Sequence, residues 1–412
     1  MRFSLMGPSG VGVSFHEHVV EVVRVDGRGP FPVVGHVLIP FPAQVYENGW
    51  VKDIIAFTDL FRSRLTDAGL ATGRPTLCLP TSAVVLRTVT LPRTGRKQAR
   101  NLIQFQLSHE LHLPFADPVF DFDYYPPGFP NPDGHESLEE GVPVLLAAAP
   151  GELVHRLEQV FRRMKTPLGA VEVKGLASLR VLRNLGKTVN QGTLLVHFGP
   201  DAVDVHFYVK GQLLLSRWLD LNPLEYSPAE IEELQGGSGV PGQPDLATFA
   251  AAGAPTQAEV AVGTAGAAAE TRGTGVQEGS MNPEAEPGAR ETGSATGSGI
   301  EPAPARTGLA APGTWMAMGR PGANLSAFAA DLQYQIDRLF SFLQYTLRQE
   351  DLAVTRLWLA GYVPHAEAIS AGLSTHLALP VEVLETPRDS SGNPVDLPAL
   401  GAALRGMVPD ED

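Results

Sequence analysis

The chain of 412 residues carries 45 acidic against 31 basic side chains, a formal net charge of −14; it therefore lacks the basic face that neutralising nucleic-acid phosphates requires. A single cysteine, Cys78, excludes a disulfide framework and a cysteine-based zinc cluster, and the sequence has no apolar run of about 18 residues that could span a membrane. Hydrophobic residues at 43% suffice for ordinary packed cores, whereas 43 glycines and 35 prolines are too many for a chain folded throughout.

The first residues, Met1 to Gly7, lack the apolar stretch of a signal peptide, so a reducing, cytoplasmic setting is expected. Gly7-Pro8-Ser9-Gly10-Val11-Gly12-Val13-Ser14 has the spacing of a P-loop, but Val13 stands where that motif needs a lysine to reach the phosphates. It reads instead as a glycine-rich approach to the first strand. His16-Glu17-His18 would place two imidazoles on one side of a strand and the carboxyl on the other. Without a third ligand it reads as a solvated turn or strand end, and no metal is expected.

Val19–Val25 and Pro32–Ile39 are β-branched and bounded by Gly and Pro, which predicts strands. Ile54, Ile55, Phe57, Leu60, Phe61 and Leu65 form the stripe of a helix between Val51 and Ala68. Strands follow at Thr76–Leu79 and Ala83–Thr90, then a helix from about Lys97 to His112 with Leu102, Ile103, Phe105, Gln106 and Leu107 toward its packed side. Phe120–Tyr125 alternates as a half-buried strand, which puts Asp121 and Asp123 on its wet face and not in an acid–base pair. Val142–Ala149 is a buried strand, and Glu152–Lys165 an amphipathic helix whose basic end suits the helix dipole.

The pattern restarts at Thr193–Gly199, with Ala202–Val209 and Gln212–Trp218 pairing around a Lys210-Gly211 turn. Asp201 and Asp204 read as turn and surface residues. After Gln235 the composition changes: Gly236 to Gly322 is dominated by Ala, Gly, Thr, Pro and Glu, with Phe249 and Trp315 its only aromatics. Such a segment cannot bury enough apolar area to offset an ordering entropy of about 1–2 kcal/mol per residue, which predicts disorder. A helix at Leu325–Leu347, a strand at Arg356–Ala360, a helix at Ala366–Leu377 and a strand at Val381–Leu384 complete the second half. Two half-chains that each open with a three-strand meander amount to an internal pseudo-repeat. No Ser/His/Asp order, GxSxG or zinc spacing is present, and no catalytic residue is assigned.

Three stretches carry a family resemblance: Gly12 to Val25, Leu77-Cys78-Leu79-Pro80-Thr81-Ser82-Ala83-Val84-Val85-Leu86-Arg87 running on to Pro92, and Ala99 to Pro114. Together with Val144–Ala149, Gly192–Trp218 and Leu357–Leu384 they resemble the type IV pilus assembly protein PilM, of the actin-like superfamily and related to FtsA. The resemblance implies an α/β, actin-like (ribonuclease H-like) fold of two lobes. A small α/β subdomain is inserted in the first lobe and a long disordered insertion in the second. The implied boundaries are 1–74 for the first lobe, 75–166 for the subdomain, 167–235 and 323–412 for the two parts of the second lobe, and 236–322 for the insertion.

Relatives bind ATP between the lobes through Asp-x-Gly turns, and this sequence departs from them. Ser14 and His16 stand at the first turn, His197 and Gly199 at the second, Asn222-Pro223 at an expected Gly-Gly, and Gly361-Tyr362 at the adenosine side. A side chain at a glycine position obstructs backbone approach, and a lost carboxylate weakens magnesium positioning. No cofactor, ATP and magnesium included, is therefore expected.

The resemblance further implies a non-enzymatic cytoplasmic adaptor, peripheral at the inner face of the cytoplasmic membrane. It would bind the N-terminal cytoplasmic tail of a PilN-like bitopic inner-membrane protein and link it to a pilus assembly ATPase or platform protein. Leu86, Arg87, Val89 and Leu107 are expected at that groove. The alternatives are an ATP-binding actin-like ATPase, the cytoplasmic part of a GspL-like type II secretion component, and an FtsA-like polymer. Limited proteolysis tests the expected organisation: cuts should fall between Gly236 and Gly322 long before either flank, and a resistant fragment spanning Ala250–Ala305 would refute the disorder.

Overall fold

The chain is described here from a computed structural model covering residues 9–27, 33–70, 73–129, 141–222, 325–346, 352–363, 365–405 and 407. The expected disordered insertion and Pro223 lie outside the described residues. In chain order, β1 (Ser9–Phe15), β2 (Val19–Asp26) and β3 (Val33–Pro40) form an antiparallel meander, followed by a short hairpin of β4 (Tyr46–Glu47) and β5 (Trp50–Val51). Helix α1 (Ile54–Asp67) starts where the Asp53 side chain accepts from the amides of Ile55 and Ala56, an N-cap that satisfies donors the helix cannot. Then β6 (Thr76–Leu79) returns parallel to β1.

Next come β7 (Val85–Pro92), α2 (Arg96–His109), β8 (Pro118–Tyr124) and β9 (Gly141–Pro150), the strands forming a separate antiparallel sheet in the order β7-β9-β8. Helix α3 (Gly151–Arg163) leads to β10 (Ala170–Val173), parallel to β6, so the first large sheet reads β10-β6-β1-β2-β3. Helix α4 (Lys174–Asn184) then crosses to the second half.

There β11 (Gly192–Phe198), β12 (Val203–Val209) and β13 (Gln212–Leu219) repeat the meander. Lys210 and Gly211 both have left-handed backbone, φ 48° and 76°, as a tight hairpin turn demands. Helix α5 (Leu325–Thr346), β14 (Val354–Gly361), α6 (Ala366–Leu377), β15 (Val381–Val383) and α7 (Leu397–Leu404) finish the described chain. The second sheet, β13-β12-β11-β14-β15, has the same order as the first: a meander whose opening strand takes one parallel neighbour, which takes a second in turn. The doubling expected of an actin-like core is present.

Helices α1 and α3 cover one face of the first sheet, where Phe15, Phe57, Phe61, Leu157 and Phe161 are buried. Helix α5 buries Phe328, Leu332 and Ile336 against the second sheet. The three-stranded subdomain keeps a small core of its own, in which Val89, Leu91, Ile103, Phe122, Val144 and Leu146 meet. Helix α2 covers that core with Ala99 and Ile103 alone fully buried. Leu102 and Phe105, expected on its packed side, are 37% and 56% exposed. Arg96 and Arg100 reach from this helix across β8. Their guanidinium groups stand over the Phe122 and Phe120 rings, pair with Asp121 and donate to the carbonyls of Phe122 and Phe120. Asp121 and Asp123 are exposed there.

Two helices not anticipated in the sequence occupy the layer between the large sheets. Every residue of α7 is buried, so it has no polar stripe to betray it. It packs on α4, β1, β2 and β6. A Cβ on Gly10 or Gly12 would lie 1.8 or 1.9 Å from the carbonyl oxygens of Ala403 and Ala399, and one on Gly401 would lie 2.0 Å from that of Ala177. The P-loop-like glycines thus serve close packing, alternating along β1 so that both face the helix. Cys78 sits in the same layer with Ala177 and Ala402, its thiol donating to the Pro398 carbonyl at 3.5 Å. Gly12→Ala should therefore overpack this layer, at a cost of about 1–3 kcal/mol. Urea unfolding with an unchanged m value would report it, and an unaltered midpoint would refute the packing account.

Candidate functional site

The ends of β1 and β11 face each other across the α4–α7 layer, and there the chain buries a cluster of polar and ionisable groups. Ser14, His16, Glu17, Glu21, Lys174, His197, Asp201, Asp204, His206 and Asp396 are all buried. Buried charges are tolerated only when paired and hydrogen-bonded, and the pairings define the site.

Lys174, the first residue of α4, donates from Nζ to Asp204 Oδ2 at 3.0 Å and to His16 Nδ1 at 3.1 Å. Burial would strip the ammonium of its proton, but the charges of Asp204 and Asp396 outweigh it and raise the pKa. Burial raises the Asp204 carboxyl, and Lys174 more than reverses this, holding it below the ordinary value. An ammonium can only donate, so His16 accepts at Nδ1. Burial and Lys174 both lower the His16 pKa, keeping the imidazole neutral.

Asp396 is the N-cap of α7, accepting from the Ala399 amide at 2.9 Å; its other oxygen stands 3.0 Å from His197 Nε2 and Oδ2 lies 3.8 Å from His16 Nε2. The Asp396 amide donates to Glu21 Oε1 at 2.9 Å. Glu21 also receives His36 Nε2 at 2.7 Å and the Tyr362 hydroxyl at 3.3 Å, while His36 Nδ1 meets Asp389 at 3.0 Å. At the β1–β2 turn the Asp201 carboxylate, brought from the β11–β12 turn, accepts from the amides of Glu17 at 3.3 Å and His18 at 2.5 Å. The Glu17 carboxyl instead accepts from Ser82 Oγ at 2.7 Å; burial, and then Asp201, push its pKa up to about 7. His206 is pushed down to about 3 by burial and meets Ser216 at 2.8 Å.

All six positions expected at a degenerate nucleotide site converge here. Ser14 is buried in β1. His16 faces Gly199, where a Cβ would lie 3.0 Å from Nδ1, and a Cβ on Gly361 would lie 3.2 Å from His197 Nε2 and 2.1 Å from the Phe198 carbonyl. The Tyr362 amide donates to that same carbonyl at 2.9 Å. Two expectations are corrected. His16-Glu17-His18 is not a solvated turn, since His16 and Glu17 are buried, and Asp201 and Asp204 are not surface residues but 4% and 1% exposed. The turn is buried because the second sheet's strand ends close over it.

His16, Glu21 and Asp396 place ligand atoms within 4.8 Å of one another, a spacing that a metal ion could use. His16 Nδ1 is engaged by Lys174, Glu21 by His36 and the Asp396 amide, and Asp396 Oδ2 by the Ala399 amide; His16 Nε2 and Asp396 Oδ1 make no hydrogen bond, but an ammonium stands beside His16. That donor set suits ion pairs better than a cation shell.

The four residues expected at a partner groove do not share one surface. Val89 is buried in the subdomain core and Leu107 packs on it. Arg87 is exposed, reaching the His112 carbonyl at 3.4 Å, whereas Leu86, one residue away, turns to the opposite face and packs toward the second lobe.

The network carries a pH signature. Burial lowers the His36 pKa, but Glu21 and Asp389 together raise it to about 9. A raised base contributes stability that is fully present below the unfolded value near 6.5 and is lost as pH rises toward 9. His36→Gln should flatten stability over that window, removing up to about 3 kcal/mol of wild-type advantage. Chemical denaturation of both proteins across the window checks it, and parallel profiles would refute the assignment.

No family model and no curated protein matches the sequence. Among solved structures, a PilM–PilN type IV pilus biogenesis complex matches with a TM-score of 0.60 at 16% identity, covering 97% of this chain and 99% of that one. The ethanolamine utilization protein EutJ from Carboxydothermus hydrogenoformans is similar at a TM-score of 0.43 and 12% identity, covering 97% and 90%. A Bacteroides thetaiotaomicron protein with an actin-like ATPase fold is similar at 0.39 and 10%, covering 95% of each chain. With its doubled strand order and inserted three-stranded sheet, the chain has the actin-like fold and resembles PilM over nearly its whole length.

Proposed function

We propose that this chain is a non-catalytic adaptor of type IV pilus assembly, or of a related competence or secretion system. It would bind the N-terminal cytoplasmic tail of a PilN-like bitopic membrane protein at the inner face of the cytoplasmic membrane. The observation that carries this reading is the end-to-end match to PilM of a PilM–PilN complex, 97% of one chain on 99% of the other. A match at this level of identity supports a shared fold, and the partner is carried over as part of the proposal.

The site chemistry supports binding over catalysis. In the buried cluster the carboxylates Asp201, Asp204 and Asp396 and the base His16 are all engaged by partners within the fold. A general base must be within reach of a substrate proton, and these groups are enclosed between two sheets. No helix among the described residues is long and apolar enough to cross a membrane, so attachment would come through the partner.

The edge strand β7 of the three-stranded sheet is the surface proposed for the tail. Leu86 on one face of this strand offers an apolar contact and exposed Arg87 on the other a charge, while an edge strand can pair its backbone with an extended peptide.

Titration calorimetry with a peptide copying the N-terminal cytoplasmic tail of a PilN-like protein from the same organism tests the reading. Micromolar affinity is expected, about −8 kcal/mol, since a disordered tail loses entropy on docking. Leu86→Asp and Arg87→Glu should each weaken binding while unfolding stays cooperative. No heat at saturating peptide, or full binding by both variants, would overturn the proposed groove.

A further inference from the structure

The β1–β2 turn presents two consecutive backbone N–H groups, of Glu17 and His18, toward the second sheet. Successive amides of this kind form a nest for an anion. Around them stand His18, whose Nδ1 is 3.6 Å from Asp201 Oδ2, and His16 with the Lys174 ammonium 3.1 Å from its ring. The nest is filled from within the chain: Asp201, 183 residues away from His18, sets its two carboxylate oxygens on the two amides. Burial would raise the Asp201 carboxyl, yet the hydrogen bonds and charge of His18 outweigh it and hold the carboxyl below its ordinary value.

We propose that Asp201 is a tethered anion that occupies the amide nest of the β1–β2 turn, closing the space between the two sheets without any bound phosphate compound. The surroundings do not fit a nucleotide. A polyphosphate would meet Asp201, Asp204, Asp396 and Glu21, four buried acids, and Lys174 and His36, the cations beside them, are already paired. His16 fills the approach to Gly199, where even a single added carbon would lie 3.0 Å from its ring. Truncating Asp201 would release two amide donors beside Lys174, His16 and His18, and create a site for a small oxyanion. The inference is independent of whether a membrane-protein tail binds at β7.

Thermal unfolding of the full chain, with inorganic phosphate titrated against chloride at matched ionic strength, tests it. A specific ion gives a saturable rise in Tm, whereas an excluded salt gives a steady one. The wild type should show no saturable rise with phosphate or with Mg-ATP. Asp201→Ala should melt several degrees lower and regain part of the loss saturably with phosphate. Asp201→Asn should also melt lower, because a carboxamide brings a donor against the amides, but should gain nothing from phosphate since its side chain still fills the nest. A saturable rise in the wild type, an unchanged Tm for Asp201→Asn, or a folded Asp201→Ala indifferent to phosphate would each overturn the proposal. If Asp201→Ala does not fold, the wild-type titration and Asp201→Asn decide.

Discussion

One carboxylate joins the parts of this molecule. Asp396 starts α7, faces His197 of the second sheet and His16 of the first, and offers its own amide to Glu21. Burial would push its carboxyl up; the two imidazoles and Lys174 hold it well below the usual range instead. Helix α7 can lie between the sheets only because its first turn is capped there, and the sheets can approach only because α7 is thin enough to fit over Gly10 and Gly12. Capping, packing and charge pairing therefore depend on the same residue.

Ion pairs of this kind contribute more to arrangement than to net stability. Removing one partner leaves a buried charge uncompensated, at a cost of about 3–5 kcal/mol, whereas an apolar replacement of the whole set is often neutral or better. What the network supplies is direction. Lys174 donates to Asp204 and His16, and Asp201 accepts from the turn amides beside the His18 ring, so a slipped arrangement of the two sheets would strand several charges at once.

Much of the fold could be read from periodicity. The meanders of β1–β3 and β11–β13 alternate or run β-branched between glycine and proline, and α1 and α3 show an apolar stripe because each has one wet face. The failures have a common cause. Helices α4 and α7 are buried on nearly all sides, so Ala, Gly and Leu surround the axis and no stripe remains. The cap signal of α7, Asp396 two residues before Pro398, was nonetheless present in the sequence. The site was half legible: resemblance pointed to Ser14, His16, His197, Gly199, Gly361 and Tyr362, yet Lys174, Asp201 and Asp396 come from turns and helix starts and Asp204 from the beginning of β12, where acids and lysines are ordinarily wet. Only tertiary closure, which brings residues some 180 positions apart into contact, makes them partners. Leu102 and Phe105 misled in the opposite direction, since α2 covers a core too small to take more than one side of it.

The chain's lone thiol has a further significance. Cys78 is sealed beneath α7, and burial pushes its pKa well above the ordinary value, so an alkylating reagent in solvent finds neither access nor thiolate. It becomes reactive only in conformers where the helix has lifted from β6. The slow labelling of this one atom is thus a clock, native to the protein, for how often its two halves breathe apart.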